Sequence, residues 1–456
     1  MIGTLLLMPD AHERIDFGEG RAWAVRKRSG MCPPCPYPPA FIQPEPALVL
    51  SKHAESISRT EFIAMLAAIM ASTALGIDLM LPAFGDIREA FGLASDSTAV
   101  AGIVTAYFIG LAVAQAFWGP IADRFGRKPT LYAGFGLYAV GALASAISPS
   151  LPVLYAARFV WGMGSAGPRV MALAVVRDRY EGETMAKVMS FIMAIFILVP
   201  VVAPSLGAAI LTVASWRWVF GFGVIYAGLV AVWSLRLPET LHVEHRLDLQ
   251  LGRVARAARY VVSNRQTLGY TLMLTVLFGV FSSYLASSEI IFGDVYGRAD
   301  LFPFIFGGIA AGMGLAMTGN GLVVARFGVR RLVHGATIGF TLVGGLMVLL
   351  ALSFDGAPPL GVFIAVLALQ LVLYSFIFPN SNTIAMDPMG SVAGMAAAVI
   401  GMVSIAGGAL LGSLLDGAFD GTVVPISSGF LLAGLASLGI TLWSEQGRLF
   451  RPLRQD

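Results

Sequence analysis

Long apolar runs separated by short polar stretches make up most of this sequence. Twelve runs are long enough to cross a hydrocarbon core of ~30 Å. They are residues 62–83, 98–118, 129–148, 152–176, 187–211, 217–235, 267–289, 302–324, 332–353, 359–379, 391–414 and 426–444. Backbone polar groups in lipid must be satisfied within their own segment, so the pattern predicts helices. A polar stretch at 237–266 divides them into two sets of six, residues 61–236 and 267–445. The expected fold class is an all-α membrane protein of twelve transmembrane helices in two pseudo-symmetric six-helix bundles. Residues 1–60 are a polar, Pro- and Arg-containing tail, read as disordered. Residues 446–456 form a second tail. The apolar run at Ile2–Met8 is too short for a signal-peptide core, and Met31 is a candidate start.

Composition supports this. The chain is 57% hydrophobic and only 12% charged, against ~25% charged for a soluble domain. The net charge of +3 says little, but its placement says more. Of the 30 Lys and Arg residues, Arg88, Arg217 and Arg298 fall in outer loops and Arg158 and Arg169 inside a span. The other 25 lie on the side of the tails, which makes that side and both termini cytoplasmic. The expected location is the inner membrane.

The central stretch "HRLDLQLGRVARAARYVVSNR" spaces Leu247, Leu251, Val254, Ala258 and Val261 at helical intervals. Arg246, Arg253, Arg256, Arg259 and Arg265 accompany them. A basic amphipathic helix on the inner membrane face and a partly ordered linker both fit. The two cysteines, Cys32 and Cys35, sit in "CPPC" without a second pair, and read as incidental thiols of the tail. The halves share a weak repeat: "ADRFGRKPTL" (122–131) returns as "ARFGVRRLV" (325–333), each after the second span of its half. Parallel six-helix repeats with a midplane binding site are a transporter plan.

Asp78, Arg158 and Arg169 are the charges read as lying well inside spans, and each costs ~2.5–3.5 kcal/mol there. Asp78 lies ~7.5 Å from the outer end of its span and Arg158 ~9 Å from the outer end of span four. Their matched depth allows a carboxylate–guanidinium contact. Arg158, Gly162, Ser165 and Arg169 share one helical face. A structural ion pair and a proton or substrate site are both open. Burial favours a neutral acid and a nearby guanidinium favours its carboxylate. A contact that opens and closes would therefore tie proton binding to a conformational cycle.

Between spans two and three lies "GPIADRFGRK", with Asp123, Arg124, Arg127 and Lys128 bracketed by glycines. This stretch resembles the first-cytoplasmic-loop signature of the major facilitator superfamily, G-x-x-x-D-R-x-G-R-K. Gly119, Asp123, Arg124, Gly126, Arg127 and Lys128 all match. Three further stretches resemble the twelve-helix drug:proton antiporter branch. "GIDLMLPAF" carries Asp78 and Pro82, and "RFVWGMGSAG" carries Arg158, Gly162 and Gly164, with Trp161 in place of Gln. "PVVAPSLGAA" carries Pro204 and Gly207, with Ala203 and Ala208 in place of glycines. "SWRWVF" (215–220) and "LPET" (237–240) are also similar to the branch. The likeness is greatest to the bicyclomycin/chloramphenicol-resistance (Bcr/CflA) group.

The resemblance implies proton-driven efflux of small, largely apolar compounds by alternating access. Asp78 would carry or gate the proton, with Arg158 as partner. Gly119 and Gly126 would permit a tight turn. Asp123 would face the N-terminus of the eleventh span, near Ser391, as a latch, and Arg127 would pair with Asp178. In the second half Ala325 takes the place of Asp123, so the latch is one-sided. Pro200, Pro204 and Gly207 would bend span five. Tyr284, Gln370 and Tyr374 are candidate cavity lining. Met70 stands where some relatives have a second carboxylate, which with Arg158 and Arg169 disfavours cationic substrates. No cofactor is expected. The expected partners are a small-molecule substrate, protons and the bilayer, with no nucleic acid, for a monomer. Export of a metabolite and a non-transporting sensor are the other readings. An enzyme is not expected, because His12, His53, His242, His245 and His334 are read in tails or loops.

Overall fold

A computed structural model describes residues 57–242, 244, 246 and 251–450. The "CPPC" pair, Met31 and almost all of the N-terminal tail lie outside the described residues. Within them the chain forms fourteen α-helices and no strand. In the first half they are α1 (Arg59–Asp78), α2 (Phe84–Ala90), α3 (Ala101–Phe125), α4 (Arg127–Ala146), α5 (Leu151–Arg179), α6 (Gly182–Leu211) and α7 (Trp216–Trp233). Next comes α8 (Leu251–Ser263). The second half holds α9 (Arg265–Ile290), α10 (Phe302–Phe327), α11 (Val329–Ser353), α12 (Leu360–Met386), α13 (Ala393–Asp416) and α14 (Val424–Ser444).

Each of the twelve expected spans coincides with one long helix. Eleven are long and apolar enough to cross a membrane. The exception is α4, whose glycines and tyrosines dilute its apolar character; it packs between α5 and α7. Large apolar side chains such as Leu198, Leu229, Leu322 and Leu349 point outward, as a lipid-facing surface requires. The α1–α7 helices pack mainly on one another, as do α9–α14; α3 meets α9 and α13, and α6 meets α10, across the boundary.

The weak sequence repeat has a backbone counterpart. α3 ends on Gly126 (φ 103°, ψ 162°) and α10 ends on Gly328 (φ 79°, ψ 151°), and the next helix starts immediately after each. Both positions use the positive φ that glycine adopts without penalty. Gly119 has no part in that turn. It lies inside α3, which continues through Pro120 to Phe125 because Ala122 is still buried. α6 likewise runs as continuous helix through Pro200 and Pro204.

Close packing in the first half goes through glycine. A Cβ on Gly162 would collide with the Tyr107 carbonyl of α3, and one on Gly110 with the Phe159 carbonyl of α5. Gly164 lies against the Tyr138 backbone of α4. Gly207 of α6 lies against the Leu79 carbonyl, next to Asp78. Backbone approaches of this kind are how helices associate in lipid, where apolar side chains gain little by leaving the solvent.

The described part of the amphipathic segment, Leu251–Ser263, is helical; it docks against α13 and α9, with Ala257 and Val261 buried, while residues 247–250 lie outside the described residues. One expectation is corrected here. His334 is no loop residue: it is buried in α11, 3.1 Å from the Tyr270 hydroxyl, and its Nδ1 accepts from the Phe450 amide at 3.0 Å.

Gly162→Val should force α3 and α5 apart, at an overpacking cost of at least ~1–3 kcal/mol. Gly119→Ala, with open space at its Cβ, should stay within ~0.5 kcal/mol. Thermal unfolding of the two purified variants in detergent checks this; equal melting temperatures would remove the packing argument.

Candidate functional site

Arg158 is fully buried in α5. Its guanidinium lies over the rings of Tyr107 (4.5 Å) and Trp161 (4.6 Å), with Phe220 at 5.8 Å. Nη2 donates to the Gly76 carbonyl at 2.7 Å, and Nε reaches the Ile103 carbonyl at 3.5 Å. Ring faces and carbonyl oxygens supply the partial negative charge that a desolvated cation needs. Nη1 is buried without a hydrogen-bond partner.

Asp78 is buried at the end of α1, but it does not pair with Arg158 in this structure. The guanidinium stops at Gly76, two residues short, because the aromatic cage and the Gly76 carbonyl already hold it. Trp161, the departure from the family pattern, supplies one wall of that cage. The 3-10 turn that follows Asp78, Leu81–Ala83, packs on α6 and on α9, so Asp78 lies close to where the two halves meet. Tyr107 was not anticipated. It bonds the Thr73 carbonyl (2.9 Å) and Ser165 Oγ (2.6 Å), and Arg158 lies over its ring. Tyr107 therefore joins α1, α3 and α5 around the charged centre. Arg169 is half-buried on the same face of α5.

At the end carrying the α3–α4 turn, called here the basic face, the charge cluster joins first-half residues to Glu239 and Thr240 just past that half. Arg127 binds Asp123 (2.6 Å) and Asp178 (3.0 Å), and Asp178 also accepts from Thr240 at 2.8 Å. Glu239, from the "LPET" stretch, caps α4 by accepting from the Arg127 and Lys128 amides at 2.9 and 3.0 Å. A carboxylate there satisfies orphan N–H groups and the helix dipole together. Lys128 Nζ donates to the Leu235 carbonyl.

The expected contact from Asp123 to the N-terminus of the eleventh span is not made. That helix, α13, starts at Ala393, after a 3-10 turn with Gly390 at its kink. Between it and Asp123 lies a cavity of about 710 Å³, lined by Asp123 and Arg127 on one side and Val392, Gly394 and Met395 on the other. Arg256 of α8 also lines it. The halves are parted at the basic face.

The opposite face is closed by groups the sequence did not single out. Arg88 of α2, read as an outer-loop residue, is buried. Its Nη2 reaches both carboxylate oxygens of Glu289 in α9, at 3.1 and 2.9 Å. Asp416, at the end of α13, is buried too and accepts from Ser283 (2.5 Å) and Ser287 (2.7 Å). So Asp78, Arg158 and Arg169 are not the full set of charges within the packed helices.

Tyr284, Gln370 and Tyr374 are buried and do not line the cavity at the basic face. They belong to an aromatic layer: Tyr284 stacks on Phe306 (5.6 Å, 4°) and Tyr374 on Phe281 (4.9 Å, 13°). Gln370, one turn from Tyr374 on α12, has both amide heteroatoms buried and unpartnered.

Paired helical halves, a cavity at the basic face and an ion pair buried between the halves at the opposite face define a polytopic membrane transporter. Residues 62–413 match the Major Facilitator Superfamily, and the chain belongs to that family. It is 30% identical over 374 residues to a bicyclomycin resistance protein homolog of Haemophilus influenzae, covering 80% of this chain and 91% of the relative. It is 28% identical over 361 residues to a chloramphenicol resistance protein of Pseudomonas aeruginosa, covering 75% and 79%. The fold also matches the crystal structure of a D-xylose-proton symporter, with TM-score 0.66 and 14% identity, over 86% of this chain and 99% of that one.

Trp161→Gln should remove one ring face from Arg158 and destabilise the fold by ~0.5–2 kcal/mol from the cation–π contact, beyond lost packing. Trp161→Phe should lose less. Melting of both variants by tryptophan-independent dye binding tests the order; a Gln variant as stable as the Phe variant would show that the ring face is not needed.

Proposed function

We propose that this chain is a proton-coupled exporter of small drug-like compounds in the inner membrane, with its basic face and both termini in the cytoplasm. One observation carries the coupling scheme. Asp78 lies close to the junction of the halves without a guanidinium on it, while Arg158, anchored at Gly76, holds a buried donor with no partner. A protonated Asp78 is neutral and leaves Arg158 in its cage. A deprotonated Asp78 needs a cation, and Nη1 of Arg158 is a buried donor left without a partner. Proton loss would thus pull α1 and α5 together at the charged centre. Proton exchange and helix rearrangement become one step, which is what antiport requires.

The cavity between Asp123 and α13 is then the cytoplasmic entrance. Parting of the halves there leaves Asp123 held by Arg127 alone. Closure brings the α13 N-terminus, which has no side-chain cap, to that carboxylate. Substrate class follows from the interior. The aromatic layer offers ring faces, and Gln370 offers a donor and an acceptor that nothing in the protein uses. Met70 adds no charge to α1. These features suit neutral aromatic compounds with hydrogen-bonding groups better than polycations, and the names of the relatives point to antibiotics of that kind. The chain acts as a monomer.

Proteoliposomes with an imposed proton gradient and an internal pH dye test this. Neutral phenicols should evoke proton flux in wild type and at least tenfold less in Asp78→Asn, with both proteins equally folded. Equal flux in the two would move the proton site away from α1. No flux with phenicols, cationic dyes or amino acids would reject the exporter reading.

A further inference from the structure

The Arg88–Glu289 pair is outside the charged centre, the basic-face cluster and the aromatic layer. It joins the first half to the second at the face opposite the cavity. Its geometry is specific: one guanidinium nitrogen shared between both oxygens of the carboxylate, with both residues less than a tenth exposed (5% and 8%). Arg88 Nη1 has no partner, so Glu289 is the group that compensates this buried cation. Such a pair is held in place by the cost of separating it. Removing one member leaves an uncompensated charge in a dry site, which is far worse than having the pair.

We propose that Arg88 and Glu289 form the outer gate of this transporter, and that Glu289 is a second proton-binding site that answers to the outer pH. The orientation rests on the exporter reading above; the gate itself rests on the ion pair.

The electrostatic surroundings give Glu289 this role. From α2, Arg88 and Asp86 act on it, and from the turn after α9 so does Asp294. Arg298 and Asp300 on the following loop pair with each other at 3.1 Å, not with Glu289. Glu289 thus has one cation and two further carboxylates around it. A proton from the outer water converts it to the neutral acid, and Arg88 loses the charge that holds the halves together. The two flanks part and Arg88 gains water. Reclosure requires the carboxylate again, so the proton returns to the side it came from. Glu289 therefore sets the balance between conformations and adds nothing to the protons carried. An acidic exterior would open the outer face at the moment when Asp78 needs access to outer protons.

Two glycines provide a direct readout. A Cβ built on Gly85 lies 3.7 Å from Glu289 Oε1, and one on Gly293 lies 3.9 Å from the same atom. Cysteines at these positions face one another across the carboxylate, on opposite halves of the protein. The full-length chain would carry Gly85→Cys and Gly293→Cys, with Cys32 and Cys35 changed to Ser, and be treated in liposomes with a short bifunctional thiol reagent. The yield should fall at least threefold when the outer pH is lowered from about 7.5 to 5.5. Adding Glu289→Gln should give the low yield at both pH values. The double exchange Arg88→Glu with Glu289→Arg should restore a high yield at neutral pH, which separates gate loss from misfolding. An unchanged yield in Glu289→Gln would show that the pair does not hold the outer face shut. A pH response that survives Glu289→Gln would place the sensor on Asp86 or Asp294. The assay needs no substrate, so a failure here is distinct from a failure of the drug-efflux reading.

Discussion

A guanidinium that never reaches water organises the first half of this protein. Arg158 lies in α5 with zero exposure, and the surrounding helices are arranged to make that tolerable. Tyr107 of α3 and Trp161 of α5 offer ring faces, and α1 offers the Gly76 carbonyl. These groups can reach the cation only if α1, α3 and α5 come within backbone distance. Glycine makes that possible: Gly162 against the Tyr107 carbonyl, Gly110 against the Phe159 carbonyl. Gly76 has the Tyr107 hydroxyl where its Cβ would be. The small residues and the buried charge are therefore parts of one arrangement. A larger side chain at Gly162 would move the very atoms that solvate Arg158.

The charges at the two faces are arranged differently because they do different things. At the basic face Arg127 joins Asp123 and Asp178, and Glu239 and Thr240, just past the first half, complete the cluster. This network is satisfied while the cavity is open, and α13 is not part of it. At the opposite face the pair crosses between halves. A self-contained cluster at one end and a bridging pair at the other are what a protein parted on one side and shut on the other requires. Buried ion pairs contribute little net stability against an apolar alternative, but losing one partner's charge is costly while the site stays dry, so neutralising one member would drive the flanks apart until the other reaches water.

Much of this was legible in the sequence. Hydrophobic run length located every long helix, because lipid leaves the backbone no other solution. The cost of charge in a span singled out Asp78, Arg158 and Arg169; Asp78 and Arg158 are buried, and Arg158 lies over the Tyr107 ring. The resemblance-based pairing of Arg127 with Asp178 corresponds to a 3.0 Å contact. What stayed hidden has definite causes. The Gly119–Pro120 pair reads as a breaker, yet α3 continues six residues beyond Gly119 to Phe125 because the buried Ala122 still packs. Glu289 and Asp416 fall at or past the ends of their apolar runs and so read as interfacial. Arg88 reads as a loop residue because nothing local marks its partner, 201 residues away.

The two contacts expected but not made, Asp78 with Arg158 and Asp123 with α13, share a reason. A sequence carries the contacts of every state the protein visits, while a structure holds one. With the basic face parted, Asp123 cannot reach α13 without closing the cavity that separates them. Arg158 cannot leave Gly76 for Asp78 without giving up part of its aromatic cage. Each missing contact would be made by a movement that the observed contacts oppose, and each would satisfy a group now left short. Nη1 of Arg158 lacks an acceptor, and the N-terminal amides of α13 have no side-chain cap. Arg88 and Glu289 complete the pattern from the other side: their pair is made here, and opening the opposite face would break it. Interactions that can be satisfied only in turn are the physical content of alternating access, and here they can be named residue by residue.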